Sequence, residues 1–281
     1  MNVRNTWPLV RSAFSSWSDH QAPRVGAALA FYTILSLAPL VILLVGIIAL
    51  LLGHQTAQTH LLDEVERTIG RQGAEAVRDM IAHAQKPATG TLASVFGVIT
   101  LLFGASGVFA ELRSALNMMW DIKPTSTQGL WGTLKQRFFS FGMVLAVGFL
   151  LLVSLVISAG LATMGKWFSG FLPLPGPVLG VLDLVLSLAG VIVVFALVFR
   201  YVPDTRIPWT HSWSGAIVTG VMFTIGKYVI GFYVGTAGVG SAYGAAGSLV
   251  VILVWVYYSA LIFLFGAELT HELDAGPRGR A

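Results

Sequence analysis

The sequence contains no cysteine. A disulfide framework, a thiol nucleophile and a cysteine-ligated metal are thereby excluded. Charge is scarce as well: Asp, Glu, Lys and Arg make up 11% of the 281 residues, against about 25% in an ordinary soluble domain. No Walker A loop, HExxH, GxSxG or dinucleotide fingerprint occurs, so the common signatures of nucleotide, zinc and serine chemistry are missing. An enzyme would need a site assembled from scattered residues, and none is visible; no cofactor and no metal is expected. His54, His60 and His83 lack the spacing of a metal motif. The net charge is only +4, and the basic residues do not gather into a patch. Nucleic acid is therefore not expected as a partner.

Apolar residues fill the chain instead. They account for 56% of it, with a mean hydropathy of +0.78. Such a chain has too little polar surface to cover a soluble core, so part of its apolar surface faces lipid. Six segments are long enough, at ~20 residues, to cross a ~30 Å hydrocarbon core: 27–52, 91–112, 138–164, 178–201, 211–235 and 247–270. They do not alternate polar and apolar residues, as barrel strands would. The expected fold is all-α, a polytopic bundle of six transmembrane helices. The first apolar run is too long for a cleaved signal and is read as a span.

Three parts follow from this reading: an interfacial amphipathic segment over 1–24, a membrane domain over 25–272 and a flexible cytoplasmic tail over 273–281. In the first, Trp7, Val10, Phe14 and Trp17 recur at helical spacing. That stripe suits a helix in the membrane interface or one packed against the base of the bundle; both readings stay open. The long first loop carries Leu61, Leu62, Val65 and Ile69 on one apolar face. After Gly70 and Gly73 come Val77, Met80, Ile81 and Ala84 on another. Two short amphipathic helices capping the outer end are expected.

Lys and Arg set the orientation. Eleven fall on the side of the termini, among them Arg4, Arg11, Arg24, Arg113, Arg200 and Arg206; five fall on the other side, and Lys227 lies within a span. The positive-inside rule puts both termini in the cytoplasm.

Lys227 stands alone in VMFTIGKYVIGFYV. It lies roughly 12 Å below the outer surface and Asp183 roughly 8 Å below it, at 1.5 Å per helical residue. They are candidate partners for each other, lining a substrate or relay site. A static ion pair, or a lysine snorkelling alone, is the plainer reading. Glu111, Arg113, Arg200 and Glu268 close apolar runs at the cytoplasmic end and are candidates for an inner gate or for ordinary helix anchors. Pro39 interrupts the first span and is a hinge candidate. Gly97 with Gly104, and Gly231 with Gly235, suit close helix approach. GTAGVGSAYGAAGS (235–248) reads as an outer turn or as a re-entrant segment.

Several stretches carry a resemblance: ALAFYTILSLAPL, ALNMMWDIKP, RYVPDTRIPW, GKYVIGFYV and AYGAAGSLVVILVWVYYSALIFLFGAEL. Together, over about 20–272, they resemble the YihY/BrkB family of bacterial inner-membrane proteins. The resemblance implies six spans and a plasma-membrane location. Family members have been labelled ribonuclease BN, a label regarded as mistaken, and others carry a virulence label. Transport roles are also suggested. No catalytic residue carries over. The expected function is transport or export of a small ion or an amphiphile through an intramembrane polar cavity, with membrane lipids and an unknown solute as partners. The alternative is a non-transporting envelope scaffold or lipid-organising protein.

Overall fold

The computed structural model describes residues 6–84, 107–122, 176–205, 207–236 and 246–275. Every regular element among them is helical. In chain order these are α1 (Thr6–Asp19), α2 (Ala22–Leu52), α3 (His54–Ile69), α4 (Arg71–Ala84), α5 (107–119), α6 (Gly176–Tyr201), α7 (Trp209–Thr236) and α8 (Gly247–Ala275). Helices α2, α6, α7 and α8 fall on the first, fourth, fifth and sixth expected spans, and α5 overlaps the end of the second. The third expected span, most of the second, and the stretch 237–245 lie outside the described residues.

Among the described residues, two helices are long and apolar enough to cross a membrane, over Trp209–Tyr233 and Gly247–Ala275. Shorter apolar helical stretches run over Ala22–Ala38 and Ser187–Tyr201. Local sequence explains the boundaries. Pro23 sits in the first turn of α2 and Pro208 immediately precedes α7, positions where a missing N–H costs nothing. The helix α2 continues without a break through Pro39.

The two expected loop helices are α3 and α4. Gly53 (φ 80°) and Gly70 (φ 86°) separate them from α2 and from each other, in a backbone region that glycine enters without a Cβ clash. Gly73 lies inside α4 and breaks nothing. Val77 and Ile81 are buried against Val41 and Val45 of α2, with Leu61, Leu62 and Val65 of α3 alongside. The loop is thus a helical cap on the far end of α2.

A larger core lies at the opposite end. There Ala22 and Leu29 of α2 meet Leu116 and Met119 of α5, Phe199 of α6, Ile207, Ala216 of α7, and Phe263 and Leu264 of α8. Phe199 stacks on Phe263 at 5.2 Å between ring centroids. Helix α1 docks on this end. Ala13 is fully buried, and Trp17 packs onto the core. Trp7, Val10 and Phe14 remain exposed, at 74%, 39% and 59%. Of the two readings of the stripe, Trp17 follows the packed one, while the other three residues form an uncovered apolar face.

Helices α7 and α8 approach closely through a reciprocal motif. A Cβ placed on Gly215 would collide with Thr270, and one placed on Gly266 would collide with Thr219. Each threonine is fully buried, and its hydroxyl donates to the carbonyl oxygen of the glycine four residues earlier in its own helix, at 2.7 Å. The exchange of partners, Gly215 with Thr270 and Thr219 with Gly266, is an antiparallel register. Small residues facing each other in this way bring backbones together where apolar burial cannot drive association. Gly231, a candidate for such packing, instead has open space around its Cβ position. It lies on an exposed side of α7.

Candidate functional site

Among the described residues, the buried polar side chains of Ser212, Glu268 and Thr270 lie toward the end where α1 docks, and Ser36 lies within α2. Glu268 comes from the last turns of α8 and is 0% exposed. His20 comes from the two-residue turn between α1 and α2. Its Nδ1 lies 2.5 Å from Glu268 Oε1, and its Nε2 lies 3.2 Å from Asp121 Oδ1. Asp121 follows α5 and is largely exposed, with 63% of its side chain accessible. One imidazole therefore bridges a sealed carboxylate and a solvated one.

Two strained residues shape this bridge. Gln21 (φ 51°) and Asp121 (φ 53°) have left-handed backbones. The first turns the chain from α1 into α2 directly after His20. The second ends α5, with Ile122 N–H donating to the Asn117 carbonyl at 2.9 Å. Around the bridge, Ser16 donates to Glu272 Oε1 at 3.0 Å. His271 Nδ1 donates to the Met119 carbonyl at 2.8 Å, and its ring stacks on Trp120. Glu268 Oε2, Trp17 Nε1 and Trp120 Nε1 are buried without a hydrogen-bond partner among the described residues.

Partial burial pushes the His20 pKa down, but the hydrogen bonds and charges of Glu268 and Asp121 outweigh it and hold the imidazole above its ordinary value. The proton on His20 is thus favoured by the carboxylates that face both of its nitrogens. These nitrogens point away from each other, so the three side chains do not converge on a single point. Among the described residues, no group of three or more His, Asp or Glu side chains could hold a metal ion.

A second polar lock lies beside the first. The Arg113 guanidinium grips Asp204 through Nε at 3.1 Å and through Nη2 to the other carboxylate oxygen. Asn117 donates to Asp204 Oδ2 at 2.7 Å and accepts from the Asp204 N–H at 2.9 Å. Burial raises the Asp204 pKa, but the bonds from Arg113 and Asn117 overcome it and leave the carboxyl below its usual range. This lock ties α5 to the connection between α6 and α7. A third link joins His211 Nδ1 to Asp274 Oδ1 at 2.8 Å.

The candidates named from sequence separate accordingly. Glu268 meets His20 and Arg113 meets Asp204. Arg200 lies over the Trp209 ring, 5.7 Å from its centroid, and Glu111 is half-buried in α5. Lys227 is half-buried on α7, with Nζ 5.4 Å from the centre of the Tyr228 ring. The side chains of Asp183 and Pro39 lie outside the described residues. The backbone of Asp183 belongs to α6. Tyr201 against Trp209, and Ile192 against Gly220, set the register of α6 and α7. In that register Asp183 comes level with α7 within about a turn of Lys227.

His20, Asp121 and Asn117 are the site residues that sequence reasoning missed. Two of them stand inside the stretch ALNMMWDIKP. Their signal is an Asn in the last turn of α5 and an Asp just past its end.

The fold and the site define a helical membrane protein with an ionisable cluster at one end of its bundle. Comparison with known proteins gives the particular family: the chain belongs to the virulence factor BrkB family, whose model matches residues 13–280. It is 27% identical over 259 residues to a UPF0761 membrane protein of Pseudomonas aeruginosa (strain LESB58), covering 91% of this chain and 60% of the relative. A UPF0761 membrane protein of Stenotrophomonas maltophilia (strain R551-3) is 27% identical over 263 residues, 92% of this chain and 58% of the relative. YfkH of Bacillus subtilis (strain 168), which carries a ribonuclease-like name, is 24% identical over 271 residues, 92% of this chain and 93% of the relative. The chain spans about 60% of the length of the UPF0761 relatives. No solved structure matches.

Proposed function

We propose that the chain is a multi-pass transporter of the bacterial inner membrane that moves a small ion or an amphiphile along a polar path between its helices. Six spans and cytoplasmic termini complete the reading. The observation that carries it is Glu268, a carboxylate of zero exposure within a helix able to cross a membrane. Ionisable residues within spanning helices are costly to bury, and such residues commonly mark ion or substrate paths. In this reading Glu268, His20 and Asp121 line the inner end, with Glu111, Arg113 and Arg200 around them. Lys227 and Asp183 lie toward the outer end, where the lysine would meet an anionic group.

The test is reconstitution into phospholipid vesicles with three probes: a trapped pH-sensitive dye, a trapped chloride-sensitive dye and a headgroup-labelled phospholipid read by dithionite quenching. Movement of at least one probe should exceed that in empty vesicles. Glu268→Gln should slow it about tenfold, the equivalent of about 1.4 kcal/mol. Lys227→Met should abolish it while leaving the protein folded. If all three probes move as in empty vesicles, the alternative of a lipid-organising scaffold takes over, and the exposed face of Trp7, Val10 and Phe14 would be its contact surface.

A further inference from the structure

The contacts of His20 impose a count of protons. Its two ring nitrogens each face a carboxylate oxygen, Glu268 Oε1 at 2.5 Å and Asp121 Oδ1 at 3.2 Å. An ionised carboxylate only accepts hydrogen bonds, and a neutral imidazole has a single N–H. With both carboxylates ionised and the ring neutral, one of the two contacts would set lone pair against lone pair. One added proton resolves the conflict. It makes the ring an imidazolium that donates to both acids, or it makes one acid a donor to the ring.

We infer that His20, Glu268 and Asp121 form a proton-binding and proton-transfer site that connects water at Asp121 to the sealed carboxylate of Glu268. The gradient of exposure gives the direction: Asp121 63%, His20 22% and Glu268 0%. In the inward step the Asp121 O–H breaks as an N–H forms at Nε2. The Nδ1–H breaks as an O–H forms on Glu268 Oε1. Three side chains exchange two protons and none is created; the reverse step, or rotation of the ring, resets the tautomer. Glu268 Oε2 has no partner among the described residues, and a bare ionised oxygen in a buried place is costly. Neutralising that carboxylate relieves the cost.

The groups facing this site come from four elements. His20 stands on the α1–α2 turn and Ser16 on α1; Asp121 follows α5; Glu272 and His271 belong to α8. Glu272 and Asp121 add negative charge near Glu268, which favours holding a positive proton among them. Trp17 and Trp120 supply the apolar wall, both packed on the core at this end. The site rests on the transport reading only for its role, which is to make the proton the coupling ion. Proton binding can be measured without any flux.

The experiment uses the full chain in lipid nanodiscs, titrated in steps with no added solute. Infrared difference spectra should show a protonated-carboxyl C=O band that is lost as pH rises and is missing from Glu268→Gln. Ring nitrogen NMR should show His20, identified by its absence from His20→Gln, titrating above the ordinary value of about 6.5. In Glu268→Gln its proton affinity should fall about tenfold, or about one pH unit. Should that variant fail to fold, Asp121→Asn on the exposed side should lower the His20 midpoint by a smaller amount. A titration without a Glu268 carboxyl band, or a His20 midpoint unmoved by either substitution, overturns the proposal. Flux without the band would remove the proton site and leave transport standing. The band without flux would keep the site and remove transport.

Discussion

His20 is the residue on which the end of the bundle depends, and its placement has a backbone cost. A left-handed non-glycine residue costs roughly 1–2 kcal/mol, and two of them, Gln21 and Asp121, stand beside its contacts. What offsets this is charge. The imidazole is held above its ordinary pKa by Glu268 and Asp121, and a raised basic group stabilises the fold while it is protonated. The contribution is complete below the unfolded value of about 6.5 and fades as pH rises through the raised folded value. We expect the α1 amides to show protection factors in hydrogen exchange that fall on going from pH 6 to pH 9. In His20→Gln they should already be low at pH 6. Equal protection at both pH values would show that Ala13, Ser16 and Trp17 hold α1 in place without the His20 charge. Asp204 behaves in the opposite sense: its lowered pKa supplies stability above the usual carboxylate value that is lost only in acid. Glu268 was legible in the sequence because an acid ending an apolar run is uncommon. His20 was not, because its partners lie 101 and 248 residues away. No local spacing announces such a contact.

Helix α7 shows how far a single element can be read. Its extent follows from hydropathy, and its ends match within two residues of expectation. Its packing face was misjudged. Counting glycines four apart selects Gly231 and Gly235, but the close approach uses Gly215 with Thr219 and Gly266 with Thr270. Threonine fulfils the small-residue role there because its hydroxyl is satisfied within its own helix. A rule restricted to glycine pairs does not see it. The two glycine classes should respond differently to a methyl group. Gly266→Ala forces Thr219, a stiff β-branched side chain, out of its place and should cost about 1–3 kcal/mol. Gly231→Ala meets nothing within 4 Å and should be neutral or gain up to about 1 kcal/mol of helix propensity. Melting of both variants in the same detergent reads the difference. A Gly266→Ala protein as stable as wild type would mean that α7 and α8 do not rely on this contact.

At the scale of the whole molecule, the proposed topology has both termini in the cytoplasm, as the count of basic residues, eleven against five, would favour. The structure ties α1 to the end of α8 through Ser16–Glu272 and His20–Glu268, so both lie at one end of the bundle. Helix α2 starts at that end, and its 31 residues reach about 46 Å at 1.5 Å each. That exceeds a hydrocarbon core of about 30 Å, so in the proposed topology α3 and α4 would lie on the far side. Hydropathy marks the long helices because lipid imposes one length on every crossing. It gave nothing of the polar locks, which are made only when helices from distant parts of the chain meet. Because the chain lacks cysteine, a single introduced thiol reports its own position. Gln55→Cys in α3 should react with a membrane-impermeant maleimide on intact cells, whereas Ser18→Cys in α1 should react only after the membrane is opened. Phe14→Cys should react more slowly than Ser18→Cys even then. Both residues are exposed, but an aromatic stripe tied to the base of a spanning bundle comes to rest at headgroup depth. If Gln55→Cys and Ser18→Cys exchange their behaviour, the chain is inverted, and the His20 cluster then opens toward the outside, where Asp121 would draw its protons.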